Sequence, residues 1–340
     1  MARRPIALTL AFALPLAACA VGPDYRPRTA TELGVPEAYS VPAVQRAHED
    51  LARWWEKFDD PQLAAIVRRA QAANLDIAQS VTRLRQARES LIQQRASLFP
   101  SISASAGASR SESLRGGTTT TTLPDGSVTS FSTGGRNSFS LGADANYQVD
   151  LFGGVRRGVE SARAGYQAAG FDYATVLISI EAETARNYVL ARAAQAQLAN
   201  ARQSLALQDD NLQIAQWRVQ AGLVSTIDQE QARASRAQAA ASIPNLEASY
   251  NGFVSRLGVL TGQAPGALKA ELEAVKPIPR GPASVASGIP AETLRQRPDI
   301  RSAERNLASA TAQIGVATAQ LYPSLGIGGS IDAGSSALSS

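Results

Sequence analysis

Hydrophobic and polar residues alternate without a break between Ser138 and Phe152, in the stretch SFSLGADANYQVDLF. The odd positions from Phe139 to Leu151 are apolar, and the even positions from Ser138 to Asp150 are small or polar. A period of two predicts a β-strand with one face in an apolar medium and the other in water. The stretch, at about 15 residues, is longer than the roughly 9–11 that a tilted strand needs to cross a bilayer. A half-buried strand of a soluble sheet is the alternative interpretation.

A second alternating segment precedes this one, and a polar connection joins the two. The even positions of the segment Ser101–Ser109 are apolar, and Pro100 separates it from a helix predicted over residues 61–98. Asp60 and Pro61 fit the N-cap and first turn of that helix. The connection after the segment is rich in Gly, Ser and Thr, which predicts a long loop. Two alternating strands with such a loop predict a β-hairpin of the transmembrane-barrel type over residues 101–152.

A long helix is predicted to begin after Gly153-Gly154. From Val155 to Ile180 the apolar residues are spaced alternately by four and three, and the pattern resumes with Leu198, Leu205, Leu212 and Val219. Such spacing is the apolar seam of a coiled coil. The helix is predicted to run for roughly 65 residues, on the order of 100 Å, which is longer than any globular core. The sequence therefore predicts a coiled-coil strut.

The chain is predicted to reverse direction at Ala221–Ser225. Gly222 fits the position just after a helix, where a glycine with positive φ commonly ends the helix. Ser225 with Asp228 three positions later fits a capping box at the start of the next helix. The return helix is predicted over about 226–261, with Pro244 expected to kink or interrupt it. These features together predict an antiparallel helical hairpin.

The beginning of the chain recurs near its end. The Asp-Ile pair at 76–77 returns at 299–300, the Pro-Ser pair at 100–101 returns at 323–324, and an alternating strand follows each Pro-Ser pair. A unit made of a helix and then a strand is therefore predicted to be duplicated. Because the second copy stops at Ser340, the sequence also predicts that the chain is a fragment whose second repeat is incomplete.

The N-terminus predicts secretion and lipid attachment. Arg3 and Arg4 precede the apolar run Ile6–Leu14, as in a signal peptide. Cys19 is the only cysteine, so it cannot form an internal disulfide. The four residues Leu16–Cys19 match the bacterial lipobox, so Cys19 is predicted to be acylated and to anchor the chain in a membrane.

Composition and motifs argue against other classes of protein. The formal net charge is +4 and the basic residues are scattered, which does not favour nucleic-acid binding. The sequence shows no Ser/His/Asp set, metal-spaced cluster or phosphate loop, so neither an enzyme nor a cofactor is predicted. Glu181 and Glu183 are interpreted as part of a solvated helix face. A lipid-anchored periplasmic coiled-coil scaffold, or a non-functional fragment without a pore, remains the alternative.

Six stretches give the chain a family resemblance over nearly its whole length. The chain resembles the TolC/OprM/NodT-type outer-membrane efflux lipoproteins. The stretches that carry the resemblance are CAVGPDYRP from Cys19, WWEKFDDPQL from Trp54, NLDIAQS from Asn74, YQVDLFGGVRR from Tyr147, RVQAGLVSTIDQEQA from Arg218 and RQRPDIRSAERNLASATAQIGVATAQLYPSL from Arg295. The last of them and the segment DLFGGVRR are the most specific.

The resemblance implies a mainly α fold with transmembrane β-hairpins and an internal repeat. It implies a homotrimer with a twelve-stranded β-barrel in the outer membrane and a long α-helical coiled-coil barrel in the periplasm. It further implies passive exit of drugs or other small molecules, driven by an inner-membrane transporter through a periplasmic adaptor. Ala20 after the lipidated cysteine suggests sorting to the outer membrane, so the outer-membrane lipid is a further partner.

The resemblance also implies a docking site at the hairpin tip. The residues that match the family's tip motif, where the adaptor's own hairpin docks, are Arg218, Gly222, Leu223, Val224, Ser225 and Asp228. Leu223 and Val224 are expected to be exposed and to contact the adaptor. The alternative is that Gly222 and Ser225 are only helix caps. No complete periplasmic gate is assigned, because the family's gate also uses the second hairpin.

The predicted organisation has five parts. The first is the signal peptide, and the last repeats the beginning of the third. The parts are a signal peptide (1–18), a lipidated tether (19–58), a first repeat (59–262) with its β-hairpin (101–152) and helical hairpin (153–262), a linker (263–289) and the start of a second repeat (290–340).

Overall fold

The computed structural model describes residues 20–36, 53–112, 118–132, 136–282 and 290–338 of the 340-residue chain. The chain divides into two compact units. Of the described residues, unit one contains those up to Arg26, those within Arg88–Gly165 and those from Leu307 onward. Unit two contains the described residues within Pro27–Ala87 and Tyr166–Asn306.

The described residues form helices and strands in an order close to the predicted one. The helices are a short 3-10 helix Trp54–Phe58, α1 Pro61–Ala73, α2 Leu75–Ala96, α3 Gly154–Gln220, α4 Thr226–Leu260, α5 Lys269–Leu272, α6 Pro290–Gln296 and α7 Pro298–Ala319. The strands are β1 Ser101–Ser111, β2 Thr118–Thr122, β3 Val128–Ser132, β4 Arg136–Val149 and β5 Leu325–Leu338. Within the described part of the chain, no helix combines the length and the hydrophobicity needed to cross a bilayer.

Unit one is built around a three-stranded antiparallel sheet. Its strand order is β1–β4–β5, so the strand of the second repeat pairs directly with the predicted hairpin of the first. The polar connection between β1 and β4, predicted as a loop, contains a second hairpin formed by β2 and β3. Five consecutive threonines favour an extended strand there. Gly126 has a φ of +83° and lets the chain turn, and Asp125 accepts hydrogen bonds from Ser127.

The helix predicted over residues 61–98 is in fact two helices separated at Asn74. The Asn74 side chain accepts hydrogen bonds from the backbone N–H groups of Asp76 and Ile77, which makes Asn74 the N-cap of α2. Its amide also donates to the carbonyl of Leu260, and the residue is buried. Tertiary contact therefore fixes a break that the apolar pattern did not indicate. The predicted Asp60 cap of α1 is confirmed, with N–H donors from Gln62 and Leu63.

The core of unit two packs the 3-10 helix and α1 against α3, α4 and the segment after α4. Its buried members include Trp55, Leu63, Ile66, Val67, Tyr188, Val254, Leu257, Leu268 and Leu272. Leu268 and Leu272 lie in the stretch predicted as a linker, yet both are fully buried. Part of that stretch therefore belongs to the packed unit, and α5 forms within it.

The α3–α4 hairpin of unit two follows the predicted seam. Leu198, Leu205, Leu212 and Val219 are all half-buried, as the spacing requires. Ion pairs between α3 and α4 flank this seam: Arg202 with Glu247, Arg236 with Asp209 and Arg256 with Glu183. Pro244 was expected to kink or interrupt α4, and the helix continues through it without interruption.

The interpretation of Glu181 as a solvated residue is wrong. Its side chain is buried against the 3-10 helix and α1, where it accepts hydrogen bonds from Gln71 at 2.7 Å and from Trp54. Burial raises the pKa of the Glu181 carboxyl above its ordinary value, and the two hydrogen bonds oppose that effect. Glu183 is half-buried and paired with Arg256 at 2.5 Å. Helix α3 therefore carries a buried acid where charge pattern alone suggested a water-facing surface.

Candidate functional site in an amphipathic sheet and a helical hairpin tip

The sheet of unit one collects the apolar residues of three strands on one face. Residues paired across antiparallel strands point to the same side of the sheet. On this face, apolar residues of β4 pair with apolar residues of both β1 and β5. The β1–β4 pairs are Ile102–Ala145, Ala104–Ala143, Ala106–Leu141 and Ala108–Phe139, and the β4–β5 pairs include Leu141–Ala333, Ala143–Ile331, Tyr147–Ile327 and Val149–Leu325. A shift of one residue would destroy this match, so the register itself is a specific feature.

This apolar face is not covered by the residues that the structure describes. The side chain of Leu141 is 63% exposed and that of Ile331 is 79% exposed. Large exposed apolar surfaces mark sites of contact with a protein or a membrane. The sheet therefore presents an apolar surface that is fit for a partner or for lipid.

The opposite face of the same sheet is polar. Ser103, Asp144 and Ser330 lie side by side across the three strands. In the next row, Gly142 of β4 lies between Ser105 and Asp332, and the missing side chain of Gly142 leaves room for the Asp332 carboxylate. Small and polar side chains at these positions are compatible with water. The sheet thus has one apolar face and one polar face.

The length of the apolar face matches a bilayer. On β4 it extends from Phe139 to Val149, which corresponds to about 37 Å of strand at ~3.4 Å per residue. At a tilt of about 45° this covers roughly 26 Å, close to the apolar band of about 25 Å in membrane barrels. Beyond Phe139 the same face continues with Asn137 opposite Arg110, and Arg110 forms an ion pair with Glu112. The apolar band therefore ends at charged and polar side chains.

The tip of the α3–α4 hairpin has the predicted caps. Gly222 has a φ of +70°, and its N–H donates to the carbonyl of Val219. The N–H of Leu223 donates to the carbonyl of Arg218 at 2.8 Å, which completes the helix C-cap. The backbone N–H and the hydroxyl of Ser225 both donate to Asp228 Oδ2 at 3.1 Å. These bonds fix the turn in one conformation.

The tip places apolar side chains in solvent. Leu223 is 72% exposed, as predicted, whereas Val224 is half-buried and presents less surface than expected. Ile227 and Trp217 are also largely exposed. Neither residue was predicted from the sequence, although both lie outside the seam defined by Leu212 and Val219, and this position indicates an exposed side chain. The tip is therefore a small apolar surface on a rigid turn.

The structure brings the predicted site residues of the hairpin tip together. Arg218, Gly222, Leu223, Val224, Ser225 and Asp228 come together at the hairpin tip. Cys19, predicted to carry lipid, lies outside the described residues, as does the predicted signal peptide. Within the described residues, no group of three or more His, Cys, Asp or Glu side chains could hold a metal ion.

Comparison with known protein families gives one match over most of the chain. The model of the family "Outer membrane efflux protein" matches residues 66–263 and 289–340. Among individual proteins, the chain is 32% identical over 321 residues to the nodulation protein T of Rhizobium leguminosarum bv. trifolii. It is 31% identical over 305 residues to the pyoverdine export outer membrane protein OpmQ of Pseudomonas aeruginosa.

Solved structures match the fold. The outer-membrane channel OprN superposes with a TM-score of 0.75 at 30% identity, covering 94% of this chain and 73% of that one. The Campylobacter jejuni CmeC outer membrane channel gives a TM-score of 0.75 at 22% identity, covering 94% of this chain and 71% of that one. The architecture of long helices with an amphipathic sheet is thus the TolC-like fold of these channels.

The chain is shorter than the curated relatives it matches. The nodulation protein T alignment covers 94% of this chain but 65% of that protein, and the OpmQ alignment covers 89% of this chain but 62% of that protein. Both alignments therefore include most of this chain and less than two thirds of the relative.

Proposed function

The chain belongs to the outer membrane efflux protein family, and from this premise we propose that it is the outer-membrane channel subunit of a tripartite export system. Its role is to provide a passive exit for drugs or other small molecules, which an inner-membrane transporter drives through a periplasmic adaptor. The relatives found belong to a family of channels rather than enzymes, so the proposal assigns no catalytic residue. The location that goes with this role is the outer membrane, with the helices extending into the periplasm.

The observation that carries the proposal is the register of the three-stranded sheet. It pairs Ala104, Ala143 and Ile331 on one face and Ser103, Asp144 and Ser330 on the other. Strands of a membrane channel need this division, because one face contacts lipid and the other contacts the water of the pore. A channel wall built from these strands would be apolar outside and polar inside.

Closure of the channel requires more than one copy of the chain. Strands β1 and β5 lie at the edges of the described sheet. Lipid-exposed strand edges leave backbone N–H and C=O groups without partners, so a membrane sheet must close into a barrel. We propose a homotrimer in which the edges of neighbouring copies complete a common barrel. Acyl chains on Cys19 would anchor each copy to the same membrane.

Cysteines at adjacent positions of β4 test this proposal directly. In the outer membrane, Ser140→Cys is expected to react with a membrane-impermeant thiol reagent, because Ser140 faces the water-filled side. Leu141→Cys is expected to resist labelling, because Leu141 faces lipid. Labelling in intact membranes is compared with labelling after denaturation, and the protein without an added cysteine measures the background from Cys19. Equal labelling of both positions in membranes would refute the proposed channel wall.

We propose further that the hairpin tip docks the periplasmic adaptor. The tip holds the exposed Leu223 on a turn that is fixed by the caps at Gly222 and Ser225. An apolar side chain on a rigid turn suits a partner that has an apolar groove at its own tip. The caps and the docking role are compatible, since the caps hold the side chain in place.

Replacing the exposed leucine tests the docking role. Leu223→Asp is expected to reduce adaptor capture by more than about tenfold, because it introduces a charge into an apolar contact. The helices should be unchanged, since Leu223 packs little against its own chain. Copurification of the adaptor with the channel measures the effect, and Val275→Asp is the control because Val275 is 69% exposed in unit two outside the hairpin. If both variants retained the adaptor equally, the tip would not be the docking site.

A further inference from the structure

The first described residues of the chain are held against unit one. The N–H of Val21 donates to the carbonyl of Phe152 at 3.1 Å, just after β4. The guanidinium of Arg157 donates to the carbonyls of Val21 and Gly22, both at 3.3 Å, and to the Asp24 carboxylate at 2.6 Å. The segment from Ala20 to Asp24, the N-terminal segment, therefore follows a defined path.

Arg157 is buried although it lies in the first turn of α3. Only 7% of its side chain is exposed, and a second ion pair joins it to Glu160 at 2.8 Å. The hydrogen bonds of Glu160 and then of Asp24 raise the pKa of Arg157, so the group remains charged. A buried cation is retained only where acceptors surround it. Here three of the four acceptors, the carbonyls of Val21 and Gly22 and the carboxylate of Asp24, come from the N-terminal segment.

Glycines allow the segment to approach this closely. Gly153 has a φ of +77°, and a Cβ atom there would lie 2.7 Å from the Cα of Ala20. A Cβ on Gly22 would collide with the backbone of Gly315 in α7. A Cβ on Gly315 would in turn lie 2.9 Å from Cγ of Arg157. Gly153, Gly315 and Arg157 thus form a seat for the N-terminal segment, and the absence of a side chain on Gly22 lets the segment approach Gly315.

The seat lies at the end of the apolar sheet face. Phe152, which accepts the hydrogen bond from Val21, stacks on Tyr322 with ring centroids 4.6 Å apart. Phe99 and Leu321 are largely exposed at the same junctions between helix and strand. Aromatic side chains gather where a membrane protein crosses from lipid into water. These residues mark the periplasmic boundary of the band that ends at Val149 and Leu325.

We propose that Arg157 is a positioning residue that fixes the segment Ala20–Asp24 at the membrane boundary, so that acyl chains on the preceding Cys19 enter the inner leaflet of the outer membrane beside the sheet. This inference rests on the proposed function. It assigns the lipid of the inner leaflet as the partner of this segment. It also explains why the charged side chain of Arg157 is buried, although Arg157 lies outside the strands of the proposed channel wall.

Hydrogen exchange in detergent tests the seat independently of the membrane. Arg157→Ala is expected to accelerate exchange of the Val21 amide by at least about tenfold, because the charged hydrogen bonds to the segment are lost. Arg163→Ala, an exposed arginine on the same helix, is the control and should have no effect. Asp24→Asn provides a second test that does not depend on the folding of Arg157→Ala, because Asp24 lies outside every helix. This variant should also accelerate exchange of the Val21 amide. Unchanged exchange in both Arg157→Ala and Asp24→Asn would overturn the seat.

A spin label at Arg26→Cys tests the position in the bilayer. In the parent protein the label is expected at one depth near the lipid headgroups, whereas in Arg157→Ala it should spread over a range of depths. Identical depth profiles in the two proteins would refute the positioning role. Failure of the proposed channel would be seen separately, as equal labelling of the cysteines at 140 and 141.

Discussion

An arginine in place of Ala143 is expected to prevent stable insertion of the protein into the outer membrane. Ala143 is the middle of the apolar face and pairs with Ala104 and Ile331. A lipid-facing arginine at the middle of a bilayer costs about 2–4 kcal/mol per site. Several copies that close one barrel would multiply this cost. The variant should therefore be lost from the fraction of outer-membrane protein that resists extraction with urea.

The adjacent residue provides a control at the same depth. Asp144 lies next to Ala143 on β4 but on the polar face, beside Ser103 and Ser330. Asp144→Arg is expected to remain in the urea-resistant fraction, because its charge faces water. Quantitative blotting of membranes before and after extraction compares the two. If both arginine variants inserted equally, the assignment of the two faces would be wrong.

Replacing Arg192 with alanine is expected to destabilise unit two by about 3–5 kcal/mol. The side chain is 1% exposed, and its guanidinium reaches three parts of the chain. It donates to the carbonyls of Leu272 and Ala274 after α4, and to the side-chain oxygens of Gln62 in α1 and Gln195 in α3. Removing it would leave several of these buried acceptors without a donor.

The surroundings of Arg192 extend this network to the N-cap of α1. Its Nε atom donates to the Tyr188 hydroxyl at 3.3 Å, and that hydroxyl donates to Asp60 at 2.8 Å. Burial raises the pKa of Tyr188 to about 12, so the hydroxyl keeps its proton at any physiological pH. Arg192 thus couples the cap of α1 to the segment that follows α4.

Hydrogen exchange of the α3 backbone near Arg192 measures this effect. Arg192→Ala should accelerate exchange at least about 100-fold, since each 1.4 kcal/mol corresponds to a factor of ten. Arg202→Ala, ten residues further along the same helix, should change exchange by less than about threefold, because that ion pair to Glu247 is exposed. Similar exchange in the two variants would contradict a central role for Arg192.

Local patterns in the sequence identified most of the elements. The alternation in β4, the seam through Leu198 and Leu205, and the caps at Gly222 and Ser225 each predict a structure that forms there. These signals are local, because a strand period, a heptad and a capping box need only neighbouring residues to operate. The family resemblance was also available from the sequence, and the match to the outer membrane efflux proteins confirms it.

The sequence by itself therefore determined the elements, the apolar and polar faces and the hairpin tip, whereas the tertiary structure decided which buried polar groups meet. The break at Asn74, the burial of Glu181, the Arg192 network and the seat around Arg157 all depend on partners between 82 and 186 residues away. Charge pattern along one helix cannot show such partners, because it records which residues share a face and not what covers that face. A buried polar group is stable only when acceptors or donors from other elements reach it, and only the folded chain brings them there.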